Sequence, residues 1–165
     1  MLLGPMILLL PIHSPVQVAE EMATLDAITG GHAVLGVGLG YREEEFAAFG
    51  IDRRERVGRM VEGLELIKQL WTQDEVEFNG RYYHVPPVKP TAKPVQHPHP
   101  PIWVAANVDA AVRRLGRLGY TWVINPHSPI SDIAPQVEMY RAVLHEHRHG
   151  DPLILPLRRD VYLAE

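Results

Sequence analysis

The stretch Ala33-Val34-Leu35-Gly36-Val37-Gly38-Leu39-Gly40-Tyr41 decides the fold. Residues 33–37 are a short apolar run and read as a buried strand. The run then enters glycines at every second position, and a short acidic helix is expected over 41–49. In front of it, residues 1–10 are almost wholly apolar and stop at Pro11. They read as a parallel strand covered on both faces. Between the two strands, Ser14-Pro15 is a helix start, with serine as cap and proline in the first turn. Val18, Met22 and Leu25 then recur at helical spacing until Gly30-Gly31 ends the helix.

The same alternation continues behind the glycines. A long helix is expected over 53–71, with Val57, Met60, Val61, Leu64, Ile67 and Trp71 on one face. Glu75-Val76-Glu77-Phe78 and Arg81-Tyr82-Tyr83-His84 flank Asn79-Gly80, a hairpin signal over 75–84. Residues 86–101 are rich in proline and read as a surface connector without regular structure. Strands are expected over 102–105, 121–124 and 157–163. Between them lie a helix capped by Asn107, carrying Ala111, Val112, Leu115 and Leu118, and a helix over 132–149, with Ile133, Val137, Tyr140 and Leu144 inward. Gly150-Asp151-Pro152 stops the second of these helices. Such alternation implies an α/β fold, a parallel sheet and right-handed crossovers. An open doubly wound sheet and a barrel both satisfy it. No internal repeat is present, and 1–165 reads as a single domain.

Bulk properties remove several functions. The chain has 165 residues, 46% of them hydrophobic, enough for a packed core. Its formal charge is -4, so no basic field draws nucleic acid or an acidic membrane. The apolar start lacks the basic residues and cleavage site of a signal peptide and is far short of the ~20 residues that span a bilayer. Cysteine is absent, which excludes disulfides and thiol nucleophiles and fits a reducing, cytoplasmic setting.

The glycine run sits where a dinucleotide fingerprint belongs, but it does not match one. That motif needs glycine at the first, third and sixth positions. Counted from Gly36 the sixth residue is Tyr41, and from Gly38 it is Glu43. Glu43, Glu44 and Glu45 would also repel a pyrophosphate at the next helix start. Two readings remain: a tight strand-to-helix turn, or bare backbone approached by a flat ligand.

Three blocks together resemble the bacterial luciferase-like flavin-dependent monooxygenases. The first is Leu8-Leu9-Leu10-Pro11-Ile12-His13-Ser14-Pro15, with Ala19-Glu20 and Leu25-Asp26. The second is Gly30-Gly31-His32, then Leu35 to Tyr41, then Glu44-Glu45-Phe46 and Phe49-Gly50. The third is Pro94-Val95-Gln96, Pro100-Pro101-Ile102-Trp103-Val104, Ala105-Ala106-Asn107 and Arg113-Arg114-Leu115-Gly116-Arg117-Leu118-Gly119. The hairpin at Asn79-Gly80-Arg81-Tyr82-Tyr83 is similar to an insert the family carries between its fourth and fifth strands.

The resemblance implies a (β/α)8 TIM-like barrel, of which this chain supplies about strands three to seven and the hairpin insertion. A full barrel takes ~250 residues. The fold expected is therefore an incomplete barrel that needs the missing strands or a second copy, a homo-oligomer. The resemblance further implies reduced FMN, or alternatively a deazaflavin, bound at the carboxyl-end mouth, and a small-molecule substrate. A non-proline cis peptide would fall at Met6-Ile7, under the flavin ring. Gly38, Leu39, Gly40 and Tyr41 would lie beside the cofactor. Ala106, Asn107 and Val108 would follow the fifth strand, with the amides of 108–110 open to its phosphate. The chain departs from luciferase at Leu39, where luciferase has an arginine. It departs again at Val108 and Ala111, where luciferase has hydroxyl side chains. A non-catalytic, truncated family member is the alternative that these departures leave open.

Histidines supply the remaining candidates. His13 and His127 each follow a strand, at the end where barrel enzymes keep their chemistry, and either can give a hydrogen bond or a proton. His145-Glu146-His147-Arg148-His149 satisfies HExxH, but it closes a helix, where histidine and arginine suit the dipole without metal. No metal is expected there.

Overall fold

The computed structural model describes residues 1–152 and 154–157. It forms two compact units, Met1–Pro101 and Ile102–Glu165.

The first unit begins with β1 (Leu8–Leu9), a 3-10 turn (Leu10–Ile12), α1 (Pro15–Ile28) and β2 (Leu35–Gly38). β1 and β2 are parallel, with Leu8 opposite Val37 and Leu9 opposite Gly38. A parallel bridge joins Leu3 to Ala33 further back. Two glycines bring these backbones together. A Cβ on Gly4 would overlap the Val34 carbonyl, and one on Gly36 would overlap the Pro5 carbonyl. Ser14 accepts from the Gln17 amide at 3.5 Å and caps α1. Gly30 and Gly31 leave the helix with φ of +64° and +83°, the left-handed exit that glycine favours.

The expected long strand over 1–10 is much shorter, and its side chains are not all covered. Met1, Leu2, Leu3, Met6 and Ile7 are exposed, because among the described residues β1 has a strand partner on one edge only. α2 (Glu43–Ala48) is seated by Phe46, which is fully buried. A 3-10 turn (Arg53–Glu55) then leads into α3 (Arg56–Thr72). α3 buries Met60, Leu64, Leu66, Ile67, Leu70 and Trp71. The Trp71 indole donates to the Ala19 carbonyl at 2.9 Å and ties α3 to α1.

The hairpin differs from its expected form. β3 (Val76–Asn79) and β4 (His84–Val88) are antiparallel, with Asn79 opposite His84. Residues 80–83 therefore form the turn, and Arg81, Tyr82 and Tyr83 are not strand residues. Their amides are taken by Glu62 of α3, at 3.0, 2.9 and 2.8 Å. β4 also runs through Pro86 and Pro87, inside the segment expected to be irregular.

The second unit holds β5 (Ile102–Ala106), α4 (Asp109–Leu118), β6 (Thr121–Ile124) and α5 (Ile130–Glu146). β5 and β6 are parallel, with Ala106 opposite Ile124. Val108, not Asn107, caps α4, and no side chain makes the cap. α5 starts two residues earlier than expected and carries Pro135 in its second turn, where the backbone donates no hydrogen bond to the Ser131 carbonyl. Tyr140 anchors α5: its hydroxyl donates to the Tyr120 carbonyl at 2.8 Å, and burial pushes its pKa up to about 12. Leu157 bridges Ile124 in parallel; the rest of the strand expected over 157–163 lies outside the described residues.

Candidate functional site

In the first unit, the register of β1 on β2 sends both strands out at the same end. Past Leu9 the chain turns through residues 10–12 to His13; past Gly38 it turns through Leu39 and Gly40 to Tyr41. Gly40 has φ +73°, and a Cβ there would press on Phe46 Cε2 at 3.0 Å and Leu9 Cδ1 at 3.4 Å. So the turn lies on Phe46 and against β1, at a left-handed position that a side chain would strain. Gly38 is buried, and Tyr41 is 77% exposed. The Met6-Ile7 peptide is cis, at the position the resemblance implies. Both of these side chains are exposed and apolar.

His13 is held by its amide, which donates to the Leu10 carbonyl at 3.0 Å. Its ring lies 6.1 Å from that of Phe49, which follows α2. Phe49 did not stand out in the sequence as a site residue, since nothing local ties it to a histidine 36 positions earlier. Charges around this end are largely matched. Glu43 pairs with Arg53, and Arg42 sits 4.0 Å from Glu45.

In the second unit, Asn107 and Val108 leave β5 at the end where Asn125 and Pro126 leave β6. Ala106 is buried, and Asn107 and Val108 are exposed. Ala106 accepts from the Trp122 indole at 2.9 Å, which fixes the carboxyl end of β5. The Asn125 side chain accepts from the His127 amide at 3.1 Å and donates to Ser128 at 3.1 Å, forming the turn that exposes His127. Asp109 lies in the first turn of α4 and accepts from Gln136 at 2.8 Å. Its carboxylate already complements the helix dipole beside the amides considered for a phosphate. His13 and His127 belong to different units, as do the residues at 38–41 and 106–108.

The histidines of the HExxH match are engaged separately. His145 faces Asp151 at 3.4 Å, His147 Nδ1 meets its own helix at Val143, and His149 Nε2 meets the Arg117 carbonyl at 3.0 Å. Among the described residues no group of three or more His, Asp or Glu side chains could hold a metal ion. Nor is any described helix long and apolar enough to cross a membrane. A cavity of about 370 Å³ beside Trp71, Lys93 and His97 lies along the connector and includes none of the residues above.

Comparison with known proteins shows the family and agrees with the fold. The family model for luciferase-like monooxygenase matches residues 1–165. An FMNH(2)-dependent dimethylsulfone monooxygenase of Pseudomonas putida is 33% identical over 132 residues, covering 78% of this chain and 36% of that protein. The crystal structure of the monooxygenase RslO1 from Streptomyces bottropensis superposes with a TM-score of 0.85 at 25% identity. It covers 96% of this chain and 49% of that one. An F420-dependent secondary alcohol dehydrogenase shares the fold, with TM-score 0.80 and 19% identity over 96% of this chain and 48% of its own. The chain thus spans about half of each of these solved relatives, with an α/β fold of parallel strands that matches part of their barrel. It belongs to the luciferase-like monooxygenase family.

Proposed function

We propose that the chain carries part of the active site of a flavin-dependent oxidoreductase or monooxygenase. The cofactor is reduced FMN, or a deazaflavin in its place, and the substrate is a small organic molecule. One observation carries the reading: β1 and β2 leave their ladder side by side, β2 through the glycine turn at Gly38 and Gly40, while Met6 and Ile7 just before β1 expose apolar side chains. A flat ring suits such a surface, because backbone amides and carbonyls reach it without side chains between. A relative named for FMNH(2) and a fold neighbour named for F420 support the choice of cofactor class.

A reduced flavin bound there supplies the electrons, either as hydride to the substrate or to activate oxygen. The protein's part is placement. Met6 and Ile7 give the ring an apolar floor, and residues 38–41 flank it. In the second unit, Ala106, Asn107 and Val108 are the candidate cofactor-binding residues. The phosphate has weaker provision, since Leu39, Val108 and Ala111 offer no charge or hydroxyl. His13 and His127 are the groups assigned to give the substrate a hydrogen bond or a proton. The cysteine-free sequence fits a reducing, cytoplasmic setting. The edge of β1 with Leu2 and Leu3 exposed suits pairing with further strands or with a second copy.

Titration with reduced FMN, oxidised FMN and a reduced deazaflavin tests the reading. Saturable binding of one reduced cofactor is expected; no binding of any of the three overturns it. The missing phosphate side chains also favour a second reading, a non-catalytic family member. A stable, cofactor-free dimer, measured by mass, would favour that one.

A further inference from the structure

The hairpin turn is built against α3 with more care than a surface insert needs. Glu62 accepts from three consecutive amides, those of Arg81, Tyr82 and Tyr83. Two glycines clear the space. A Cβ on Gly80 would overlap the Glu62 carboxylate, and one on Gly58 would overlap the Tyr82 ring. Arg59 lies over both tyrosine rings, 5.5 Å from one centroid and 5.8 Å from the other. Its Nε is meanwhile paired with Glu55 at 2.8 Å. The four-residue turn is thus tied to α3 by a carboxylate and a shared guanidinium, with two glycines leaving room for them.

The turn and the loop that follows β1 lie over the same glycine of α3. Tyr83, Leu10 and Pro15 converge on Gly63 of α3. A Cβ there would meet Tyr83 Cε2 at 3.5 Å, Leu10 Cδ2 at 3.6 Å and Pro15 Cβ at 3.7 Å. Leu10 and Pro15 are buried and bracket His13 in sequence, and the Leu10 carbonyl holds the His13 amide. We infer that Glu62 is a positioning residue: through the hairpin turn and Tyr83 it fixes the loop that presents His13. The inference rests on the proposed role of His13 for its meaning in catalysis, but its geometry is independent of that role. A packed contact can transmit such an effect because interiors do not deform freely.

The test replaces Glu62 and reads His13 by NMR of protein labelled with 15N-histidine, the resonance being assigned by its loss in His13→Gln. Glu62→Ala should move or broaden the His13 imidazole signals while those of His127, His145 and His147 stay in place. Glu62→Gln, with one acceptor oxygen left, should give a smaller change in the same direction. If Glu62→Ala does not fold, Glu62→Gln decides alone. Unchanged His13 signals in the folded variant overturn the inference. In turnover assays, Glu62→Ala should lower kcat about tenfold, with reduced-flavin affinity unaltered. A His13→Gln variant that binds flavin and turns over normally would sink the proposed role of His13, while the NMR result would still decide the positioning.

Discussion

The two ends of the β1–β2 pair in the first unit are built on opposite plans. At the amino end the Asp26 carboxylate, wholly buried, accepts from the amides of Ala33, Val95 and Gln96 and from the Gln96 side chain, at 2.6 to 3.2 Å. Burial alone would raise its pKa, but the hydrogen bonds from Gln96, Ala33 and Val95 outweigh it and hold the carboxyl below its ordinary range. This knot fastens the proline-rich connector to α1 and to the entry of β2. At the carboxyl end there is no such knot. Tyr41 and Phe49 are exposed, and a left-handed glycine takes the place of a side chain. The difference teaches where each kind of energy sits: one end is satisfied and closed, the other is left bare. Barrel enzymes divide stability and chemistry in this way.

Breaking the closed end should have the largest effect on folding. Asp26→Ala strands several buried amides and should cost about 3 kcal/mol, read as a lower urea midpoint. The effect should depend on pH with a definite sign. The folded pKa lies below the unfolded one, so the stabilisation is full at neutral pH down to the ordinary carboxylate range. It fades as pH falls through the depressed value. The gap between wild type and Asp26→Ala should therefore narrow in acid, and a gap that widens there would contradict the knot.

The open end should respond the other way. Gly40→Ala forces a side chain into a positive-φ position against Phe46 and should cost about 1 kcal/mol of stability. Its reduced-flavin dissociation constant should rise about tenfold, the larger of its two consequences. Smallest of all, Tyr41→Ala should change stability by less than ~0.5 kcal/mol, because the side chain is surface. If Tyr41→Ala lowered the urea midpoint as much as Asp26→Ala does, the two ends would not differ as described.

Local signals carried much of this architecture in the sequence. β6 occupies the residues its apolar run indicated, and α1 starts where Ser14-Pro15 placed it. What failed locally was decided by distant partners. Asn79-Gly80 reads as a two-residue turn, yet Glu62 draws three further amides out of the hairpin ladder. Asp26 reads as one polar residue near a helix end; only the fold brings Val95 and Gln96 to it. The apolar run at 1–10 gave a strand but not its coverage, because burial depends on what lies along the other edge. For the candidate site, the order of the glycine turn, His13 and the β5 turn was legible. Neither Phe49 beside His13 nor the clamp of Glu62 could be read without coordinates.

The central claim is that the bare end of β1 and β2 receives the cofactor ring. Amide hydrogen exchange with and without saturating reduced FMN tests it residue by residue. Slowed exchange at 6–7 and 38–41, with Val95 and Gln96 unchanged, is the predicted result. Binding that leaves 6–7 and 38–41 exchanging as before, or that protects only the connector, would contradict it.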